Sequence, residues 1–349
     1  MLFENRKTGF KTEICFRPFV KGDGVSFCQC IDDFYDGGYP YKEFLDEEFL
    51  LEKIAAGNMT VLCGTTLNGE IVSTSALCMS PEFKGSALLM LRVVKKAYRG
   101  MGIGKAQEDY LFHFAEEHTT LRSLYADVMT HNDISQRGLV SRGFVYCGIR
   151  IMLYRNPVML PRLNLVKDGK VSQVIMCKSV CARSVGKLYC PAIHKDEVCR
   201  IYRELGVDCQ IDTGENQPEY EETRTSWHTD EVHRSVILTV HTVGKNFSRI
   251  LSDRLKQIRQ WENATMLCYL NLCDTAAISA YSVLKNKGFF FTGIKPLQEL
   301  EEYMILAYIG SQTIRYEDIH LHDTGKPLMS YIKSQQDVKK EKKLENNKK

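Results

Sequence analysis

Residues Leu88 to Lys105, LLMLRVVKKAYRGMGIGK, contain a strand-like apolar run, a glycine-rich turn and the start of a helix. The segment that continues from Lys105, KAQEDYLFHFAEEH, has helical periodicity. Glycines at 100, 102 and 104 allow the first amides of a helix to approach a ligand closely, and such amides bind anions. The sequence therefore predicts a phosphate or pyrophosphate site at this turn. The alternative is a tight turn that binds nothing.

The glycine spacing distinguishes this turn from two common phosphate-binding motifs. It lacks the Gly-Lys-Ser/Thr of a P-loop, and its G-x-G-x-G spacing is not the dinucleotide pattern G-x-G-x-x-G. It does match Arg/Gln-x-x-Gly-x-Gly/Ala and thereby resembles the acyl-CoA pyrophosphate loop of the GNAT N-acyltransferase superfamily. The resemblance implies that an acyl-CoA contacts the end of the strand and the turn, at Val93, Val94, Arg99, Gly100, Met101, Gly102, Ile103, Gly104 and Lys105.

A second GNAT-like element begins 33 residues after Arg99. The superfamily pattern is Asn-x-x-Ala-x-x-Leu-Tyr-x-x-x-Gly-Phe, and the chain fills its main positions with Asn132, Ser135, Gly143 and Phe144. Apart from Ser135 in the Ala position, two positions differ: Gly138 replaces the Leu, and Leu139 replaces the Tyr that often protonates the leaving thiolate. The resemblance implies that Asn132 and Ser135 complete the acyl-CoA site.

The C-terminal half resembles the first in its order of predicted strands and helices. Gly143–Ile149 and Gly288–Ile294 share Gly-Phe-x-aromatic-x-Gly-Ile and are 145 residues apart. The same offset places a counterpart of the glycine turn at Gly244, where the sequence GKNFSR has lost Arg-x-x-Gly-x-Gly. We therefore predict a tandem arrangement with one cofactor site. Two unrelated α/β halves are the alternative.

Asn68-Gly69 between two β-rich runs predicts a hairpin turn, and Asp46 predicts the cap of a short helix. Together with the patterns above, these features predict an α/β fold of the α+β type with a mixed sheet, divided into four parts. Residues 1–182 form a GNAT acyl-CoA-binding catalytic domain, and residues 183–224 form a helix and a polar linker. Residues 225–332 form a degenerate GNAT-like domain, and residues 333–349 form a disordered Lys-rich tail.

Charge and composition argue against several classes of partner. The tail from Lys333 carries a net charge of +4, whereas the whole chain carries +3, so the rest of the chain is close to neutral. No aromatic side chains accompany the lysines of the tail, and we therefore expect no nucleic-acid binding. No apolar run is long enough to cross a membrane and no signal peptide is recognisable, which predicts a cytoplasmic protein that does not bind membranes. The oligomeric state stays open.

The thirteen cysteines are scattered and odd in number, as expected of free thiols in a reducing compartment. Cys190, His194 and Cys199 lie close in sequence but lack a fourth ligand at suitable spacing. We therefore expect no metal site.

The GNAT resemblance implies direct transfer of an acyl group, most simply acetyl from acetyl-CoA, to an amine. An alkyl amine with a pKa near ~10.4 must lose a proton, whereas a thiolate of pKa about 8.5 leaves without much help, so a base matters more than an acid. Asp127 and His131 are the candidate bases, and Tyr146 is a weaker candidate acid. A backbone cap at Asp127 and a helix-cap flank at His131 are the structural alternatives.

The loop Gly37–Tyr41 is rich in Gly, Pro and Tyr. It either walls the acceptor pocket or packs on the surface. The predicted function is that of an N-acetyltransferase (EC 2.3.1 class) acting on a primary amine of a small molecule or peptide. The competing interpretation is a non-catalytic sensor that holds acyl-CoA or docks a partner.

Overall fold

The computed structural model describes residues 1–39, 41–79, 85–117, 121–131, 133–155, 169–181, 184–296 and 301–346. The chain forms two compact units, of which the first comprises Met1–Asp127 and the second begins at Val128. Pro40 of the predicted aromatic loop and Asn132 of the predicted acyl-CoA site lie outside the described part.

The first unit contains a mixed sheet in which strands follow one another in chain order. Its strands are β1 (Leu2–Glu4), β2 (Lys11–Pro18), β3 (Met59–Thr66), β4 (Ile71–Met79), β5 (Ser86–Val94) and the first part of β6 (Ser123–Met129). Neighbours are antiparallel as far as β5, and β5 and β6 are parallel. Asn68-Gly69 forms the predicted turn between β3 and β4, where Gly69 has φ +83°.

The helices of this unit are α1 (Gly24–Tyr35), α2 (Glu47–Ala55) and α3 (Ile103–Glu117). Helix α1 buries one apolar face, formed by Phe27, Cys30 and Ile31, in the core. Helix α2 begins at the predicted cap, because the Asp46 carboxylate accepts a hydrogen bond of 2.9 Å from the Phe49 amide. These two helices frame the loop that carries the predicted aromatic cluster.

The second unit contains a larger mixed sheet, whose strands are β7 (Val145–Arg155), β8 (Lys170–Ser179), β11 (Arg224–Asp230), β12 (Ser235–Thr242), β13 (Thr265–Asn271), β14 (Phe290–Lys295) and β15 (Tyr303–Tyr308). Their order in the sheet is β8-β7-β14-β15-β13-β12-β11. Two further strands, β9 (Ser184–Tyr189) and β10 (Asp208–Asp212), pair in parallel. The helices are α4 (Ile134–Val140), α5 (Lys195–Glu204), α6 (Phe247–Ile258), α7 (Ala277–Asn286) and α8 (Lys326–Asn346).

The order of elements supports the predicted similarity of the two halves. The series β5-α3-β6-α4-β7-β8 and the series β12-α6-β13-α7-β14-β15 have the same alternation of strands and helices. The compact units nevertheless divide the chain at Asp127, whereas the predicted catalytic domain extends to residue 182. The reason is that β7 pairs with both β8 and β14 inside the second unit.

Helix α8 continues past Lys333, where the predicted Lys-rich tail begins, to Asn346. The N-terminal part of this helix is anchored by Leu328 and Ile332, which are fully buried, and by the Tyr331 hydroxyl, which lies 2.8 Å from Nδ1 of His194. An anchored helix end can continue as a helix through polar residues, because propagation costs less than nucleation.

Candidate functional site

The glycine turn after β5 has the backbone that its sequence predicts. Gly100 and Gly102 have φ values of +78° and +85°, a region in which side chains other than glycine are strained. In the described structure no atom lies within 4 Å of the position that a Cβ would occupy at either residue. The backbone conformation of the turn, and not close packing, therefore favours glycine at these two positions, and the surface of the turn is open.

Helix α3 starts directly after this turn with unsatisfied backbone donors. Its first hydrogen bond runs from the Ala106 amide to the Gly102 carbonyl oxygen, at 3.0 Å. Among the described residues, none accepts a hydrogen bond from the amides of Met101, Gly102, Ile103 or Gly104. These donors lie at the positive end of the helix dipole, so the turn can bind an anion.

Gly104 packs this helix start tightly against β5. A Cβ at Gly104 would lie 3.2 Å from Cγ2 of Val94. Val94 also accepts, through its carbonyl oxygen, a hydrogen bond of 2.8 Å from Nε of Arg99. The strand end and the turn are therefore held together by packing and by a hydrogen bond.

The guanidinium of Arg99 is directed to helix α1. It lies 3.4 Å from the Asp33 carboxylate and stands over the Phe34 ring, 5.3 Å from the ring centroid. Asp33 also accepts a hydrogen bond of 2.7 Å from the Lys96 amide, just before the turn. The Arg99 side chain is 42% exposed, so it fixes the turn while a positive charge stays at the surface.

Strand β5 contains a bulge that the sequence did not reveal. Leu91 has φ +55°, and its carbonyl oxygen accepts a hydrogen bond of 2.7 Å from the Thr74 hydroxyl. The parallel ladder between β5 and β6 runs from Ser86↔Ser123 to Leu89↔Ala126. Within the described residues of the first unit, the end of β5 with Val93 and Val94 is paired only with β4. A bulge next to the end of a ladder opens one edge of a strand.

The second predicted element lies in the second unit. Ser135 is exposed on α4, whereas its neighbour Gln136 is fully buried. The Gln136 amide donates to the carbonyl oxygen of His320 at 2.9 Å, and its Oε1 accepts a hydrogen bond of 2.7 Å from the Tyr146 hydroxyl. Burial raises the pKa of Tyr146 to about 12, so this hydroxyl stays protonated. Tyr146 thus contacts a structural amide.

His131 lines a cavity of about 660 Å³ in the second unit. The other lining residues that the structure describes are Asp133, Ile319, His320, Leu321, Lys326, Met329 and Ser330. Nδ1 of His131 is buried and has no hydrogen-bond partner among the described residues. Burial, together with the charge of His320, lowers the pKa of His131. A neutral imidazole with an unoccupied nitrogen can accept a proton.

The other candidate base, Asp127, is a half-buried residue of β6 and the last residue of the first unit. It follows Ala126, which is the last residue of β6 in the ladder with β5. His320 and Lys326 belong to the cavity around His131 although they are more than 180 residues away in sequence. No local sequence pattern could have predicted that association.

Six aromatic side chains around the α1–α2 connection form a continuous cluster, which we call the aromatic wall. Successive rings contact one another edge to face with centroid distances between 4.8 and 6.3 Å, in the order Phe34, Tyr35, Tyr39, Tyr41, Phe44 and Phe49. Tyr39 is buried whereas Tyr41 is 41% exposed. Burial raises the pKa of both Tyr35 and Tyr39, so these phenols are neutral. The loop therefore has a packed base and an exposed edge.

In the described part of the chain, no group of three or more His, Cys, Asp or Glu could hold a metal ion. The cysteines are free thiols, and burial raises the pKa of Cys30, Cys63 and Cys190 to about 12. Across the same described ranges, no helix combines the length and the apolar character that a membrane span requires.

A bulged strand, a glycine turn and a helix whose first amides have no acceptor among the described residues form a site that can bind an anion. The model of the acetyltransferase (GNAT) family matches residues 27–144. This match confirms the resemblance to the GNAT superfamily found in the sequence. No curated protein matches the chain.

Several solved structures are similar to the N-terminal half. The ribosomal-protein-S18-alanine N-acetyltransferase of Escherichia coli is 17% identical, with 48% of this chain and 94% of that chain covered and a TM-score of 0.38. A GNAT acetyltransferase of Streptococcus pneumoniae is 19% identical, with 48% and 99% covered and a TM-score of 0.40. An N-acetyltransferase of Staphylococcus aureus is 12% identical, with 48% and 98% covered and a TM-score of 0.36.

Proposed function

We propose that this protein is an N-acetyltransferase that moves the acetyl group of acetyl-CoA to a primary amine of a small molecule or peptide. The observation that carries the proposal is the set of amides from Met101 to Gly104, which have no acceptor among the described residues and lie inside the segment that matches the GNAT family. The pyrophosphate of the co-substrate supplies the anion that such donors bind.

The open edge at the end of β5 supports the next part of the site. The pantetheine amides of the co-substrate would hydrogen-bond to the strand near Val93 and Val94, beyond the bulge at Leu91. Asn132 and Ser135 stay predicted contacts of the co-substrate. Binding along a strand would orient the thioester and convert acetyl transfer into an effectively unimolecular step.

The chemistry requires removal of a proton from the acceptor amine. Its nitrogen attacks the thioester carbonyl carbon, the C–S bond breaks, and the CoA thiolate leaves. His131 is the base that we favour over Asp127, because burial keeps its imidazole neutral and Nδ1 has no partner among the described residues. The acid is dispensable, since a thiolate leaves as a weak base. The engaged hydroxyl of Tyr146 is consistent with this assignment.

The C-terminal half, in this proposal, is a degenerate copy without a co-substrate site. The offset of 145 residues pairs Met101, Gly102 and Gly104 with Asn246, Phe247 and Arg249. The amides of these three counterparts donate to the carbonyl oxygens of Glu221, Gly244 and Asn246 at 3.4, 3.1 and 3.1 Å. A Cβ at Gly244 would lie 2.3 Å from the Glu222 carbonyl carbon, so this glycine is enclosed by backbone. Three of the four amides that correspond to the proposed phosphate donors are therefore satisfied internally in the second copy.

The ladder between β12 and β13 gives a second reason to expect no co-substrate site in the C-terminal half. It is continuous over six pairs, from Ser235↔Thr265 to Val240↔Leu270, whereas the corresponding ladder between β5 and β6 has four pairs. A continuous ladder uses the backbone groups that would otherwise bind pantetheine. One co-substrate per chain is therefore expected.

Calorimetric titration with acetyl-CoA tests the site. Gly102→Glu adds a negative charge to the anion site. We expect it to weaken acetyl-CoA binding at least about tenfold, because the carboxylate repels the pyrophosphate and cancels the favourable interaction of the helix start with an anion. Gly69→Glu is the matched control, because Gly69 has a similar φ of +83° and the same open surroundings in the β3–β4 turn. Equal binding by the two variants would contradict the assignment.

A non-catalytic acyl-CoA sensor is the second candidate, and one observation favours it. The position of the usual tyrosine acid is taken by Leu139, which is fully buried. Release of free thiol from acetyl-CoA, followed with a panel of amines, distinguishes the two. Amine-dependent release establishes the enzyme, whereas tight binding with no release for any amine favours the sensor.

A further inference from the structure

The second unit contains a cluster of polar side chains that acetyl transfer does not use. Oγ of Ser226 on β11 lies 3.1 Å from Nε2 of His241 on β12. The other ring nitrogen of His241, Nδ1, lies 3.0 Å from Oε1 of Glu301. A hydroxyl next to an imidazole that is held from behind by a carboxylate is the arrangement that activates a serine nucleophile.

The backbone directs His241 toward this cluster. The ladder between β11 and β12 pairs Arg224 with Thr242 and Thr225 with Val240, so His241 is the extra residue of a β-bulge. Bulges re-aim side chains and occur frequently beside active sites. The Asn271 side-chain amide donates a hydrogen bond of 3.0 Å to the carbonyl oxygen of His241 and so holds the bulge.

The carboxylate of Glu301 is held as well. The Tyr303 hydroxyl donates to its Oε2, whereas Oε1 faces the imidazole. Burial and the nearby Glu301 raise the pKa of Tyr303, so its hydroxyl stays protonated and acts as a donor. Nδ1 of His241 lies 3.0 Å from Oε1 of Glu301 and 3.1 Å from the Tyr303 hydroxyl. In the tautomer that carries its proton on Nδ1, these two oxygens accept that proton, and Nε2 accepts the hydrogen bond of the Ser226 hydroxyl.

Exposure and charge make the cluster accessible to a substrate. Ser226 is exposed on β11, while the side chains of His241 and Glu301 are each 25% exposed. Arg224 lies two residues before Ser226 on β11, so the alternation of the strand places its positive charge on the same face. A cation in this position would stabilise the oxyanion of a tetrahedral intermediate.

We propose that Ser226, His241 and Glu301 form a second active centre that hydrolyses carboxylic esters. Oγ of Ser226 attacks the ester carbonyl carbon while its proton passes to Nε2 of His241. The C–O bond to the alcohol breaks, and the imidazolium protonates the departing alkoxide. A water molecule then attacks the acyl-enzyme, gives its proton to His241, and releases the carboxylic acid as Oγ of Ser226 regains a proton. Glu301 is a positioning residue, since it acts through His241.

Labelling of the full-length protein with a fluorophosphonate probe, followed by peptide mapping, tests the proposal. We expect an adduct on Ser226 that is absent from Ser226→Ala. Ser334→Ala is the matched control, because Ser334 is also exposed but its hydroxyl donates to the Tyr331 carbonyl oxygen. This control should be labelled like the wild type. A wild-type protein without an adduct on Ser226 would overturn the proposal.

The roles of the other two residues have separate tests. His241→Ala should slow labelling about 100-fold or more, as loss of a general base does, and added imidazole should restore part of the rate. Glu301→Gln should slow labelling, and Glu301→Asp should recover part of it. Circular dichroism shows whether each variant is folded. Folded His241→Ala that is labelled at the wild-type rate, or that imidazole does not rescue, would contradict the triad.

Discussion

Gly148 of β7 and Gly293 of β14 lie directly opposite each other in an antiparallel pair. They are also equivalent positions of the internal repeat, since each is the second glycine of Gly-Phe-x-aromatic-x-Gly-Ile. The two copies of the motif therefore meet at their matching glycines. A Cβ at Gly293 would lie 2.3 Å from the Gly148 Cα, so the close approach of the strands requires glycine.

Gly293→Ala should destabilise the protein by about 3 kcal/mol or more, because the added methyl group overlaps a backbone atom and alanine is strained at the φ of +134°. Chemical denaturation measures the loss.

Gly186→Ala is the control for this substitution, since Gly186 also lies in a strand but has no atom within 4 Å of its Cβ position in the described structure. We expect that change to be close to neutral. A Gly293→Ala variant as stable as Gly186→Ala would show that the strands can separate without cost.

The features predicted from sequence are those with local causes. The glycine turn at Gly100 and Gly102, the cap at Asp46 and the hairpin at Gly69 each depend on a few consecutive residues. The repeat could be found because glycine is required at the same place in both copies. Local backbone chemistry is sufficient for these elements.

The features that sequence did not predict depend on contacts between distant residues. The bulge at Leu91 is held by Thr74 of the neighbouring strand, and the surroundings of His131 include His320. Helix α8 continues to Asn346 because its first turns are buried, which its Lys-rich composition does not indicate. Long-range packing overrode local composition in each case.

His194 should make the protein sensitive to acid. It is 1% exposed, with Nε2 and Nδ1 each 2.8 Å from a tyrosine hydroxyl, those of Tyr281 and Tyr331. Burial lowers the pKa of His194 to about 3. Because the folded pKa lies below the unfolded value of about 6.5, the stabilisation is complete above pH 6.5 and declines as the pH falls toward 3.

At pH 5 the loss attributable to His194 is about 2 kcal/mol relative to pH 7, from 1.36 kcal/mol per pH unit below the unfolded pKa. His194→Gln should remove that component, so urea denaturation at the two pH values should show a smaller difference in the variant. The comparison uses the difference between the two pH values, so that any loss of stability that the substitution causes at both values cancels. Equal differences in the two proteins would exclude His194 as the cause.

The base assignment predicts a shift in the pH profile of acetyl transfer. The charge of His320 contributes to the lowered pKa of His131. His320→Asn removes that charge, so the pKa of His131 should rise and the acid limb of kcat/KM should move to higher pH. His113→Asn, at an exposed position of α3, is the control. An acid limb that stays in place in both variants would indicate that another group, such as Asp127, accepts the proton.

The aromatic wall predicts which substrate responds to a change in the α1–α2 connection. Tyr41 is the exposed member that contacts both Tyr39 and Phe44, so its removal would take away an edge contact for an acceptor and leave the glycine turn intact. Tyr41→Ala should raise KM for the amine about fivefold, which corresponds to an aromatic contact of about 1 kcal/mol, and should leave the Kd of acetyl-CoA unchanged. Tyr110→Ala changes a tyrosine that is 53% exposed on α3 and should alter neither constant. If Tyr41→Ala raises the Kd of acetyl-CoA and leaves KM for the amine unchanged, the aromatic wall belongs to the co-substrate site and not to the acceptor site.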